Sequence, residues 1–454
     1  MNQKNYSSRR RPRRRREKRR FGSLLLIVLV MLFAGISVET AYIIRNLESK
    51  NPQAVELQRN EQDTIIETDT ESATILEVIL DPETEIMTEQ EVETSQSLMT
   101  EETSDDLFEY ASAISDMSLE EKLAQLFIIT PEALTGVDFV TMAGDYTRSS
   151  FNNYPVGGIV YFENNIQSES QLYEMACAMQ FISMERLQLP VFLCTDEEGG
   201  SVNRITGRGV ADVPNIPSMY EIGTMGDPKE AYNIGFTIGS YLKRMGINVD
   251  FAPVADIYSN PENTVIGTRS FGGSSELVSE MVENEVLGMK SVNMKATLKH
   301  FPGHGDTTAD SHSGMAISYK TLDELRMFEL RPFKAGIEVG TDFIMLGHIT
   351  FPNIINDGIP ASLSKWCVTD LLRNELGFEG IIITDALNMG AISNYYSSGE
   401  AAIMAIQAGV DMLLMPADFY SAYNAVLLAV QTGEISEERI DESLERILRV
   451  KSEL

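Results

Sequence analysis

Histidine, cysteine and positive charge are what this chain is short of. It has four histidines and three cysteines among 454 residues. Cys177, Cys194 and Cys367 show no CxxC or metal-ligand spacing, so no disulfide framework follows from them, and buried free thiols are expected. Lys and Arg number 36 against 67 Asp and Glu, a net charge of −31. A body so acidic repels phosphates, which excludes nucleic acid as a natural partner. No GxGxxG opens a helix after the first strand candidate, which weakens a dinucleotide-binding reading.

The charge that is present is unevenly spread. Residues 1–20 carry eleven Lys and Arg against one Glu, and residues 46–106 carry eighteen Asp and Glu against two Lys and Arg. Between them Phe21 to Val38, FGSLLLIVLVMLFAGISV, holds no charge. A helix of this length spans about 27 Å, close to the thickness of a bilayer core. The basic cluster before it stays cytoplasmic, so the remainder is expected outside. Residues 1–20 then read as a cytoplasmic tail and 21–44 as a transmembrane anchor, with a cleaved signal peptide and secretion as the alternative. Residues 45–106, rich in Glu, Thr and Ser, cannot bury a core and read as a disordered acidic linker. As a flexible coil the linker spans about 45 Å. It would hold the folded part off the membrane.

From residue 107 to 454 short apolar runs alternate with amphipathic helical stretches. The runs are QLFIIT, VGGIVYF, PVFLCTD, INVDFAPVAD, MKATLKHF, TDFIMLGHI, EGIIITDAL and DMLLMP. Each is bounded by Gly, Pro or Asp, as parallel strands buried on both faces should be. Eight strands each followed by a helix predict an α/β fold, a single (β/α)8 TIM-type barrel, with an open doubly wound sheet as the alternative. The closing ISEERIDESLERILRVKSEL reads as an amphipathic helix, with no second folded domain.

In such barrels chemistry gathers at the C-terminal ends of the strands. Those ends carry Asp196, Glu197 and Glu198 after the third run and Asp256 after the fourth. Lys299 and His300 close the fifth, His348 the sixth and Asp385 the seventh. Salt bridges closing the barrel mouth would explain any one of these; all together they point to a site. Three of the four histidines lie in KHFPGHGDTTADSH, Lys299 to His312. Three readings compete for them. A metal site would use His300, His304 and His312 with Asp306 or Asp310, but the spacing lacks the HxH or HExxH of common zinc sites. The histidines could instead hydrogen-bond the glycine-rich loop closed. Or Asp310 orients His312, two residues on, as a mobile acid/base group. A lone strand-end carboxylate, Asp385, facing such a pair fits double displacement at an acetal carbon.

The motifs TDEEGGSVNR, NVDFAPVADI, VIGTRSFGG, KHFPGHGDTTADSH and IITDALNM occur in one order, and from about Asp116 onward the chain resembles glycoside hydrolase family 3, most closely its bacterial β-N-acetylglucosaminidase branch. The resemblance implies Asp385 as nucleophile, His312 as acid/base with Asp310 behind it, and Asp196, Arg204, Arg269, Lys299 and His300 binding the sugar. Many members carry a further α/β domain that supplies a carboxylate acid; this chain ends after the barrel, which points to the His-loop branch. Ser201 stands where Arg or a bulky apolar residue often follows EEGG, leaving aglycone preference open.

The expectation is an exo-acting retaining β-N-acetylglucosaminidase, a monomer working on cell-wall or related glycans. It would need no cofactor and no metal, and would contact the membrane through the N-terminal helix alone. The rivals are a phosphorylase or β-glucosidase of the same family, a metal-dependent hydrolase on the same barrel, and a non-catalytic wall-binding protein.

Overall fold

The computed structural model describes residues 113–307, 314–355 and 357–454. The expected tail, anchor and linker lie outside the described residues, as do Asp310 and His312. Among the described residues no helix is long and apolar enough to cross a membrane.

All eight apolar runs form strands: β1 (Phe127–Ile129), β2 (Gly158–Val160), β3 (Phe192–Thr195), β4 (Val249–Asp250), β5 (Lys295–Phe301), β7 (Phe343–Leu346), β9 (Ile381–Thr384) and β10 (Leu413–Leu414). Two short strands that the sequence pattern does not predict, β6 (Ala316–Ile317) and β8 (Ile349–Thr350), pair with each other outside this sheet. The eight strands form one parallel sheet in the order β10-β1-β2-β3-β4-β5-β7-β9. A parallel bridge between Ile383 and Met412 joins its two ends. The result is a nearly closed α/β barrel, consistent with the predicted (β/α)8 arrangement. Every residue of these eight strands is buried, because helices cover the outside and side chains fill the inside.

The helices follow from local chemistry. Ser168 caps Glu169–Leu187 through a bond from Gln171 N–H, and Asp227 caps Pro228–Arg244 with proline in the first turn, both favoured starts. The last helix, Glu437–Ser452, begins at Ser436 and seals the N-terminal end of the barrel. Asp411, fully buried, receives bonds there from Arg373 (2.6 Å), Ser443 (2.8 Å) and Arg446 (3.0 Å). Lys451, also buried, donates to Gln125 Oε1 at 2.7 Å and lies 5.1 Å over the Phe192 ring. Sealing this end leaves the opposite mouth for the site.

The three cysteines are free, but only Cys194 and Cys367 are buried; Cys177 is exposed, contrary to expectation. It lies on the exposed face of Glu169–Leu187, while Met175 and Met179, two residues away on either side, are buried. Apolar character alone does not say which face of a helix a cysteine takes.

Candidate active site

A cavity of about 330 Å³ opens at the C-terminal ends of the strands and is lined by Asp196, Glu198, Arg204, Arg269, Lys299, His300, His304 and Asp385. The mouth therefore collects six residues expected there from the sequence: Asp196, Arg204, Arg269, Lys299, His300 and Asp385. Glu198 and His304, which the sequence motifs do not mark as sugar-binding, line it as well. Phe162, Met345, Met389 and Met415 supply apolar wall.

One side of the cavity is an interlocked set of charges. Glu198 accepts a two-pronged bond from Arg269, Nε to Oε2 at 2.7 Å and Nη2 to Oε1 at 2.7 Å. Lys299 Nζ lies 2.6 Å from the same Glu198 Oε1 and 2.9 Å from Asp196 Oδ1. Burial alone would raise the Glu198 pKa, but the Arg269 and Lys299 charges outweigh it and hold the carboxyl far below the usual range. Burial likewise opposes the charge on Lys299, yet Asp196 and Glu198 raise its pKa above the ordinary lysine value. Each group is thus fixed in its charged form, with its partners satisfied before any ligand arrives.

Arg204 reaches this set from a loop that Glu197 holds in shape. The buried Glu197 carboxylate accepts from the backbone N–H of Arg204 (2.6 Å), Ile205 (3.0 Å) and Thr206 (2.8 Å). It also accepts from Tyr241 O–H at 2.8 Å. The Arg204 guanidinium lies 5.3 Å over the Phe162 ring and 3.4 Å from Asp196 Oδ2. Asp196, Glu197 and Glu198 therefore do three different jobs in three successive positions.

The segment after β5 is anchored by Asp256, which is fully buried. Its Oδ2 accepts from His300 N–H (3.1 Å) and lies 2.7 Å from His300 Nδ1; its Oδ1 accepts from His304 N–H at 2.6 Å. Burial would raise the Asp256 pKa, but His300 and His304 bring it below the ordinary value. Held in this way by Asp256, His300 lines the cavity. His304 is buried and bonded through Nδ1 to Thr307 Oγ1 at 2.8 Å, and burial lowers its pKa. The glycines beside it serve close packing. Gly303 has φ 126°, and a Cβ on Gly305 would lie 1.7 Å from the Ile257 carbonyl oxygen.

Asp385 follows β9 directly, and its Oδ1 accepts from Ala386 N–H at 2.7 Å. Burial would raise its pKa, but the nearby His300 and His348 charges and the Ala386 N–H lower it below the ordinary aspartate value. The carboxylate stands ready as an anion. Among the described residues no group of three or more His, Cys, Asp or Glu is arranged to hold a metal ion.

Asp256 was legible as a strand-end carboxylate, but not its grip on His300, which lies 44 residues further on. Glu198 sat in the same DEE triplet as Asp196; two acids and two bases that must pair in so small a mouth were the signal available.

Residues 118–450 match the family model described as the glycosyl hydrolase family 3 N terminal domain. Beta-hexosaminidase A of Pseudoalteromonas piscicida is 34% identical over 324 residues, 67% of this chain and 54% of that protein. A solved glycoside hydrolase family 3 beta-N-acetylglucosaminidase from Paenibacillus sp. str. FPU-7 superposes with a TM-score of 0.70 at 38% identity, covering 74% of this chain and 62% of that one. A beta-glucoside phosphorylase structure superposes at 0.68 with 26% identity, covering 78% of this chain and 62% of that one. The chain thus spans little more than half the length of the first of these relatives.

Proposed function

The chain belongs to glycosyl hydrolase family 3, and on that footing we propose that it is an exo-acting, retaining β-N-acetylglucosaminidase that removes terminal β-linked GlcNAc from cell-wall or related glycans. The observation that carries the reading is Asp385, an ionised carboxylate at a strand end, facing the same cavity as Asp196, Glu198, Arg204, Arg269, Lys299 and His300.

The chemistry follows from these groups. Asp196, Lys299 and the arginines offer charge-assisted hydrogen bonds to sugar hydroxyls and fix the ring so that its anomeric carbon meets Asp385. The Asp385 carboxylate attacks, and the departing oxygen takes a proton from His312, oriented by Asp310. Water then enters, gives its proton to His312 and releases the sugar with retained configuration. Bonds from Ala386 N–H and the neighbouring cations stabilise the carboxylate as an anion, so it stays a competent leaving group in the second step. His312 and Asp310 take these roles from the sequence motif, since they lie outside the described residues.

Phosphorolysis is the second reading. Three cations line the cavity, and a neutral imidazole as acid/base repels a phosphate nucleophile less than a carboxylate would. One experiment separates the readings: aryl glycosides with and without the 2-acetamido group, assayed with and without inorganic phosphate. Hydrolysis preferring the acetamido substrate, with free sugar as product in phosphate buffer, supports the proposal. A sugar 1-phosphate product, or a preference for the plain glucoside, overturns it. Activity surviving exhaustive chelation would likewise remove a metal-dependent hydrolase. The N-terminal 106 residues support export with an uncleaved membrane tether, tested by whether intact cells expose the barrel to added protease while the protein stays in the membrane fraction.

A further inference from the structure

Resting on the reading of Asp385 as the nucleophile, we propose that His348 and Ser362 are positioning residues that set the orientation of the Asp385 carboxylate. Neither belongs to the set of sugar-binding and catalytic residues above.

The argument starts from the backbone around Asp385. Asp385 N–H donates to the Leu346 carbonyl at the end of β7, at 2.9 Å, and Leu387 N–H donates to the Leu414 carbonyl at the end of β10, also at 2.9 Å. Neighbouring strands thus hold the chain on both sides of Ala386. The Ala386 carbonyl itself takes a side-chain donor, His348 Nε2 at 3.1 Å. A carbonyl oxygen only accepts, so Nε2 carries the hydrogen. The other ring nitrogen, Nδ1, lies 2.7 Å from Ser362 Oγ. His348 and Ser362 are both buried, so the ring is gripped at both nitrogens in a site without freedom to turn. They come from separate elements: His348 lies between β7 and β8, and Ser362 in the short turn Ala361–Leu363.

The peptide between Asp385 and Ala386 supplies the N–H that holds Asp385 Oδ1 at 2.7 Å. Its direction depends on the peptides either side of it. One is fixed by Leu346, the other by His348 and Leu414 together. Removing the His348 bond frees the Ala386 carbonyl and lets the N–H that aims the carboxylate swing. An error of about 1 Å in a reacting atom costs up to about 10²-fold in rate while leaving ground-state sugar contacts in place.

The test uses the full chain with His348→Ala, His348→Gln and Ser362→Ala. The readouts are the single-turnover rate of aryl release from an aryl β-GlcNAc, the Kd for GlcNAc by calorimetry, and Tm. Expected for His348→Ala is a rate lower by about 10- to 100-fold with Kd within about 3-fold. His348→Gln, whose amide N–H can still donate to Ala386, should recover at least about 5-fold of that loss, and Ser362→Ala should fall between it and wild type. A rate for His348→Ala within about 3-fold of wild type overturns the proposal, as does a loss that appears wholly in Kd, or a glutamine variant no better than alanine. If His348→Ala does not fold, the same criteria apply to His348→Gln and Ser362→Ala, whose rates must both fall below wild type. The wild-type enzyme is also trapped with a fluorinated GlcNAc fluoride. A label on Asp385 with unaffected variants sinks the His348 role alone. A label on another residue sinks the nucleophile reading, and the proposal with it.

Discussion

Replacing Glu198 by glutamine probes the charge set that holds the sugar side of the cavity. The substitution keeps shape but removes a charge that accepts from Arg269 at 2.7 Å twice and from Lys299 at 2.6 Å. Three charge-assisted bonds at about 1.5–3 kcal/mol each give a gross loss of about 4.5–9 kcal/mol. The cost of desolvating three ions offsets much of that, and breaking a buried pair from one side usually costs about 3–5 kcal/mol. A barrel of about 340 residues loses stability at about 0.7 kcal/mol per degree near its midpoint, so Tm should fall by about 4–7 °C. Because Lys299 and Arg269 then lose their shared anchor, kcat/KM for an aryl β-GlcNAc should drop by about 10²-fold or more.

The pH dependence has a definite sign. Glu198 is held well below its ordinary value near 4.5, so its contribution is present above that value and is lost as pH falls through the lower, folded one. The Tm gap between wild type and variant should be constant from about pH 8 to 5 and shrink in more acid solution. Scanning fluorimetry and steady-state kinetics measure both effects, with Glu442→Gln as control, since its carboxylate is exposed and lies 3.9 Å from Arg439, a contact worth about 0–1 kcal/mol. If Glu198→Gln behaved like that control, with Tm within about 1 °C and kcat/KM within about 2-fold of wild type, the reasoning from the buried network would be wrong.

Lys451→Met should stabilise the protein. Burial pushes the lysine down from 10.5 to about 7, a penalty of up to roughly 5 kcal/mol at about 1.36 kcal/mol per pH unit. Leaving Gln125 Oε1 unpaired returns about 1–3 kcal/mol of it, and the Tm advantage should be full below pH 7 and fade toward 10.5, where the wild-type lysine is neutral in both states. Asp256→Asn removes a buried charge that accepts from His300 and His304, so it should lower Tm by several degrees, as for Glu198, and kcat/KM by about 10²-fold through loss of the charge under His300; unchanged kinetics would show that His300 needs no such anchor. Gly305→Ala must push its new Cβ away from the Ile257 carbonyl, 1.7 Å distant, and should destabilise by more than about 2 kcal/mol, read as a drop in Tm.

The barrel was legible because its strands are buried on both faces and so read as unbroken apolar runs. β6 and β8, two residues each, are too short to carry any periodic signal. Asp196, Lys299 and Asp385 announced themselves as charges at the ends of such runs. Arg204 and Arg269 did not: Arg269 meets Glu198 across 71 positions, a contact that spacing cannot reveal, and only the resemblance of whole motifs singled them out. Glu197 and Glu198 look alike in sequence, yet one shapes a backbone loop and the other pairs cations. That division arises from packing against Tyr241 and Arg269, residues far away in the chain. His348 gave even less away, since an apolar run ending in histidine does not say whether the ring faces ligand or backbone.

The most direct test of the account is to trap the enzyme with a fluorinated GlcNAc fluoride, which forms a glycosyl-enzyme quickly and releases it slowly, and to locate the label by peptide mapping. The account predicts one sugar per chain, on the peptide containing Asp385, and no label on Asp385→Ala. Labelling at any other residue, or turnover without a covalent adduct, would contradict it.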